Sequence, residues 1–294
     1  MIQISAIANY PAPIRILAFL LLIGVLWLPL AGLIVLWSRD PNQTTILAMG
    51  LLFVEFVVLM QWWGKAVYQD QQIFQTYGLS WNLPNLNDFL RGLGWGVTGL
   101  LVVFLLQGSL GWLSWQGATE GFWRVALEGL LVAVGTALAE ELVFRGWLLQ
   151  ELERDYRTSV ALWINSLIFA TLHFLKPFPE VIRTFPQFPG LVLLGLILVW
   201  MKHSTYSQQR TAVSLKTQSG RLGLPIGFHA GLIWSYYLLK VGDLTRWTNQ
   251  APEWITGIDG NPLAGLVGLL ALAGLAVYWQ RLTRRGKGWG KHKT

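Results

Sequence analysis

The chain has no cysteine. That excludes disulfides, a thiolate nucleophile and thiolate metal sites, and it leaves histidine and carboxylate as the only ligands for a metal. Charge is also scarce: Asp, Glu, Lys and Arg make up 13% of the 294 residues, against 53% hydrophobic residues. A soluble domain carries about 25% charged residues, so lipid is the expected solvent for most of this chain. The ten-residue alternation of a membrane β-barrel is missing as well. So are an internal repeat and any polar stretch large enough for a second, soluble domain.

Long apolar runs are present instead, each near the roughly 20 residues that cross a hydrocarbon core. Only helices satisfy their backbone hydrogen bonds in such runs. The pattern predicts an all-α polytopic membrane protein, one membrane domain over residues 1–294, built as a bundle of about eight transmembrane helices. They are expected near 16–37, 44–64, 89–113, 124–149, 158–175, 187–201, 223–241 and 262–280. The sixth is short and preceded by Pro186 and Pro189, so it reads either as a re-entrant piece or as a kinked span that starts earlier. Arg15 is the only positive charge before the first run, and no small-residue cleavage pattern follows that run, which predicts a retained helix.

The formal charge of +7 owes much to a basic tail, Arg281, Arg284, Arg285, Lys287, Lys291 and Lys293. Beside an apolar helix this reads as a cytoplasmic membrane flank rather than a nucleic-acid site. An even span count then puts both termini in the cytoplasm, with a bacterial plasma membrane as the expected location. Loops placed inside hold Lys65, Arg91, Arg154, Arg157, Lys202, Arg210, Lys216 and Arg221, and those outside hold Arg39, Arg124, Lys176, Arg183, Lys240 and Arg246. Trp62, Trp63, Trp200 and Trp279 fall near span ends, as interfacial aromatics do. Residues 202–222 are rich in Ser, Thr, Gln and Lys, and read as a mobile cytoplasmic loop that includes His203.

The fourth span holds Glu140, Glu141 and Arg145 among Leu, Val, Ala and Gly. Charges at mid-span cost roughly 2.5 to 3.5 kcal/mol each, so they call for a reason. An ion pair between Glu141 and Arg145 at i, i+4 is one. It leaves Glu140, about 100° round the helix, unexplained. His173 closes the fifth span and His229 lies in the seventh, while His203 and His292 fall in polar stretches. Counted at about 1.5 Å per residue, Glu140, His173 and His229 lie about 15, 22 and 10 Å deep, a spread that helix tilt absorbs. Two carboxylates and two imidazoles in a dry cavity are the parts needed to activate water against an amide: a glutamate takes the proton, and a histidine or bound cation polarises the carbonyl. Glu140 is the expected general base and Glu141 the Arg145-paired partner, with exchanged roles as the alternative. Glu55, in the second span, reads as structural. A proton-coupled transporter and a non-catalytic scaffold are the competing readings.

The run from Glu140 to Arg145 resembles the EExxxR motif of the CAAX-processing and bacteriocin-processing intramembrane proteases, which include CAAX prenyl protease 2-like and lysostaphin-resistance-protein-like members. Phe169 to His173 resembles that family's FxxxH motif, and His229 stands where its third motif begins. The resemblance covers about residues 75–280, with Tyr77-Gly78-Leu79 also similar. It implies an eight-helix bundle, a first glutamate that activates water, and His173 and His229 either as ligands of a divalent metal such as zinc or as stabilisers of the oxyanion. It further implies peptide or protein substrates, or their C-terminal tails, at the surface of the lipid bilayer. The chain departs from the pattern at Ile233, where the family commonly has Asn or Asp. Ser235 lies some 240° beyond His229 and is a poor substitute on an ideal helix.

Overall fold

The computed structural model describes residues 4–118, 120–206 and 220–285. Among them eight helices have 15 residues or more: α1 (Ala12–Trp37), α2 (Pro41–Tyr68), α3 (Leu83–Ser109), α4 (Phe122–Glu141), α6 (Thr158–Leu172), α7 (Phe188–Ser204), α8 (Gly223–Lys240) and α9 (Leu266–Arg285). Between α4 and α6 the chain runs on through a π-helical stretch, Leu142–Leu148, into a short α5, Leu149–Asp155. The sixth expected span takes the kinked form. A helix Phe178–Thr184 and a 3-10 turn Phe185–Gln187 lead into α7, and the segment Phe178–Ser204 as a whole is long and apolar enough to cross.

Five segments meet that length and apolarity: α1, α2, α3, Phe178–Ser204 and α9. On α1, Leu21, Leu28 and Leu36 are 60%, 63% and 85% exposed. A face of this kind is stable against acyl chains and not against water, and the protein is an integral membrane protein. The other three long helices, α4, α6 and α8, carry Glu140, Glu141 and His229, with His173 capping α6; α4 and α6 also expose an apolar face, with Leu127 and Leu131 of α4 60% and 66% exposed.

The helix ends gather on two faces. On one, buried Arg15 at the start of α1 bonds Glu151 of α5 at 2.9 Å, and Tyr68 at the end of α2 donates to the same carboxylate. The start of α8 joins this face through Leu222 N to Gly78 O at 2.9 Å and Arg221 to Asp88 at 2.6 Å. The end of α9 joins it through Thr283 Oγ1 to Trp200 O at 3.0 Å. On the opposite face a two-stranded ribbon, β1 (Leu113–Trp115) with β2 (Thr245–Trp247), ties the ends of α3 and α8, with Leu113 opposite Trp247.

The closest helix contact is that of α3 with α8, and small residues make it possible. A Cβ on Gly227 would overlap Phe89 O, and one on Gly231 would stand 2.5 Å from Leu93 O. The two backbones therefore meet directly on either side of His229.

Two sequence expectations need correction. Trp63, Trp200 and Trp279 are buried in the core, at 3%, 6% and 3% exposure, rather than at the lipid interface. Trp63 stacks edge-on against Phe19 at 5.4 Å, so its ring serves helix packing. The loop expected at 202–222 is ordered at both ends: Lys202 and His203 belong to the last turn of α7 and are buried, and Gly220 and Leu222 are buried at the entry to α8. Lys202 is fully buried, and its ammonium donates to the Arg145 carbonyl. Residues 207–219, with Arg210 and Lys216, and the tail with Lys287, Lys291, His292 and Lys293 lie outside the described residues.

Candidate active site

Glu141 is fully buried, and its Oε1 accepts two bonds: one from Arg145 Nη1 at 3.1 Å and one from His229 Nδ1 at 2.9 Å. The ion pair expected from the i, i+4 spacing is present, and α8 adds to it an imidazole that spacing alone did not assign to this carboxylate. Arg145 also donates to Gly195 O at 3.4 Å and lies over the Phe169 ring at 4.2 Å. A buried carboxylate with two donors is compensated in a way a lone one is not.

Glu140 points elsewhere. Its Oε2 lies 3.9 Å from Nε2 of His173, and both side chains keep partial exposure, 29% and 33%. His173 Nδ1 is 2.8 Å from Phe169 O. A carbonyl can only accept, so this contact assigns the hydrogen to Nδ1 and leaves Nε2 of the neutral ring as a lone pair facing Glu140. The same logic applies to His229, whose Nδ1 donates to Glu141 and whose Nε2 has no bond among the described residues. The Phe169 ring neighbours both imidazoles, with centroids 4.5 Å from that of His173 and 6.2 Å from that of His229. Both histidines line one cavity of about 270 Å³, walled by Leu100, Leu194, Leu232 and Ile233 among others.

The π-helical stretch explains how Arg145 and its neighbours are held. A π turn displaces carbonyls from their usual partners, and such turns are common at functional sites. Here two side chains take up the carbonyls: Asn165 Nδ2 donates to Phe144 O at 2.7 Å, and Lys202 Nζ donates to Arg145 O at 2.6 Å. Neither residue emerged from sequence. Lys202 opens the polar run 202–222 and was read with it as loop; in the structure α7 continues to Ser204 and takes Lys202 into its last turn. Glu55 lies apart from this cluster, with Oε2 buried and without a protein partner among the described residues.

A metal was expected at His173 and His229 if one is used. Among the described residues no three His, Cys, Asp or Glu side chains converge as ligands. Glu141 Oε1 is already shared between Arg145 and His229, and a guanidinium stands next to it. This donor set does not fit the three-ligand zinc of a hydrolase.

Residues 121–235 match the family model described as type II CAAX prenyl endopeptidase Rce1-like. The matched segment contains Glu140, Glu141, Arg145, His173 and His229, and it agrees with the resemblance drawn from the motifs. No curated protein and no solved structure matches the chain.

Proposed function

Proceeding from an Rce1-like protease domain at residues 121–235 in an integral membrane protein, we propose that the chain is an intramembrane endopeptidase that hydrolyses membrane-associated peptides or C-terminal tails with a glutamate-activated water. The observation that carries this reading is the 3.9 Å gap between Glu140 Oε2 and His173 Nε2. With the His173 hydrogen on Nδ1, an ionised Glu140 and the bare Nε2 are two acceptors facing each other. The Glu140 carboxylate, 29% exposed and with Oε2 unpartnered among the described residues, is the group that takes up the water, with Nε2 of His173 beside it. A water held by donating its hydrogens keeps its oxygen lone pairs free to attack a carbonyl carbon.

Glu140 takes a proton from this water as the C–O bond forms, and returns it to the leaving amine as the C–N bond breaks. Both products keep their atoms and charges in balance. Glu141 does not act as base in this scheme, because its side chain is fully buried, held through Oε1 by Arg145 and His229, and its second oxygen is closed to solvent. It positions His229, whose Nε2 is a fixed acceptor for a peptide N–H in the same cavity. The cavity's leucine walls suit apolar substrate side chains. An orientation with the N- and C-termini of the chain in the cytoplasm, and substrates acted on at that side, belongs to the same proposal.

Purified protein in detergent, incubated with hydrophobic peptides, is expected to cleave at least one of them, and Glu140→Ala is expected to abolish the cleavage while keeping the folded helical content. Equal cleavage by both forms would overturn the proposal.

A further inference from the structure

Independently of the hydrolytic reading, we infer that a groove between α2 and α4 binds a glycolipid, its uncharged sugar head among Gln71, Gln72, Gln75 and Ser80 and an acyl chain against Phe53, Val57, Leu138 and Leu142. The groove has a volume of about 470 Å³, within the roughly 300 to 1,000 Å³ of ligand pockets. Its polar lining is gathered at one end, in the connection that follows Tyr68 and holds the short helix Ile73–Thr76. Trp81, which also lines the groove, is 98% exposed. The other end is apolar and lies deep: Val57 and Phe53 stand about 17 and 23 Å back along α2 from Tyr68, at about 1.5 Å per residue. The groove therefore runs from the membrane surface into the hydrocarbon layer. It is distinct from the candidate active site. Glu140 follows Leu138 by two residues and so projects about 200° round α4 from it, and no residue lines both this groove and the cavity of His173 and His229.

The distribution of polar groups selects the occupant. Along α2 and α4 the walls offer no polar side chain, so a polypeptide entering there would leave its own N–H and C=O groups unpaired. An acyl chain has none to pair. No lining residue is ionisable. Phosphate is characteristically held by Arg or Lys, and the groove presents neither. It presents three carboxamides and a hydroxyl, each both donor and acceptor, and sugar hydroxyls are likewise both. The Trp81 indole adds a flat apolar face with a single N–H, which suits the C–H face of a pyranose. Leu142 ties the groove to the rest of the molecule, because it is buried and opens the π-helical stretch that bears Arg145. An occupant packed against it stabilises the folded bundle.

Thermal unfolding of the purified protein in detergent tests this, with monoglucosyl dioleoylglycerol as the probe beside dioleoyl phosphatidylglycerol and methyl glucoside. At several times its dissociation constant the glycolipid is expected to raise the midpoint by about 2–4 °C, and the other two compounds are expected to leave it in place. Gln72→Ala combined with Gln75→Ala removes two carboxamides from exposed positions. The midpoint without lipid should then stay within about 2 °C of the parent, while the glycolipid shift is lost. Val57→Trp fills the apolar end and is expected to abolish the shift with the carboxamides intact. The inference is overturned if the glycolipid gives no shift, if the phosphatidylglycerol or the free glycoside shifts the midpoint as much, or if the double variant responds as the parent does. A hydrophobic peptide that raises the midpoint where the glycolipid does not would assign the groove to polypeptide and overturn it as well. Peptide cleavage is not among the readouts, so failure here leaves the hydrolytic reading untouched, and an inactive protein leaves this one.

Discussion

Lys202 Nζ, fully buried, donates to the backbone carbonyl of Arg145 at 2.6 Å. The bond joins the last turn of α7 to the π-helical stretch that carries the site's guanidinium, so a residue outside the reactive cluster supports the geometry inside it. Lys202→Met leaves that carbonyl without its partner, a cost of about 1–3 kcal/mol. The expected result is a lower unfolding midpoint in detergent together with reduced turnover. An unchanged midpoint would show that the carbonyl finds another donor.

The two glutamates are expected to respond differently to the same substitution. Glu140→Gln removes the base and should lower kcat by about 10²- to 10⁴-fold with little change in thermal stability, because the side chain is partly exposed. Glu141→Gln leaves Arg145 as an uncompensated buried charge, which costs about 3–5 kcal/mol, so stability and activity should fall together. Thermal unfolding beside steady-state kinetics distinguishes the two patterns, and the reverse pattern would exchange the roles of the glutamates.

Arg145→Lys is expected to behave as a loss of function rather than a conservative change. The planar guanidinium bonds Glu141, reaches Gly195 O and lies over Phe169 at once. An ammonium has neither the fork nor the flat face. Turnover at or near the parent level for Arg145→Lys would show that charge alone suffices at this position.

Much of this cluster was legible in the sequence because charge in a membrane span is expensive. Glu140, Glu141, Arg145, His173 and His229 stood out against leucine and valine for that reason, and the eight long helices followed from the lengths of the apolar runs. The pairing did not follow. Which imidazole meets which carboxylate depends on how α4, α6 and α8 are rotated about their axes, and residue spacing within one helix carries no information on rotation between helices. Lys202 was hidden by its company, since a polar run directly after an apolar one reads as a loop until the burial of its first residues is seen.

The turn Ile258–Gly260, where Asp259 pairs with Arg183, should loosen in acid. The hydrogen bond from Arg183 holds the Asp259 carboxyl below the usual carboxylate range. A lowered folded value means that the stabilising tie is complete above the ordinary value of about 3.9 and is lost as pH falls through the folded one. Hydrogen exchange across residues 257–261 is therefore expected to accelerate only below about pH 4, and Asp259→Asn should show the faster exchange already at neutral pH. Equal protection in both proteins at pH 7 would remove the tie from the account.

The meeting of α3 and α8 without intervening side chains has a mechanical consequence. Layers of leucine yield when rotamers hop, but two main chains in contact have nothing between them to rearrange. These two helices form a stiff post, against which α4 packs on the α8 side and α9 on the α3 side.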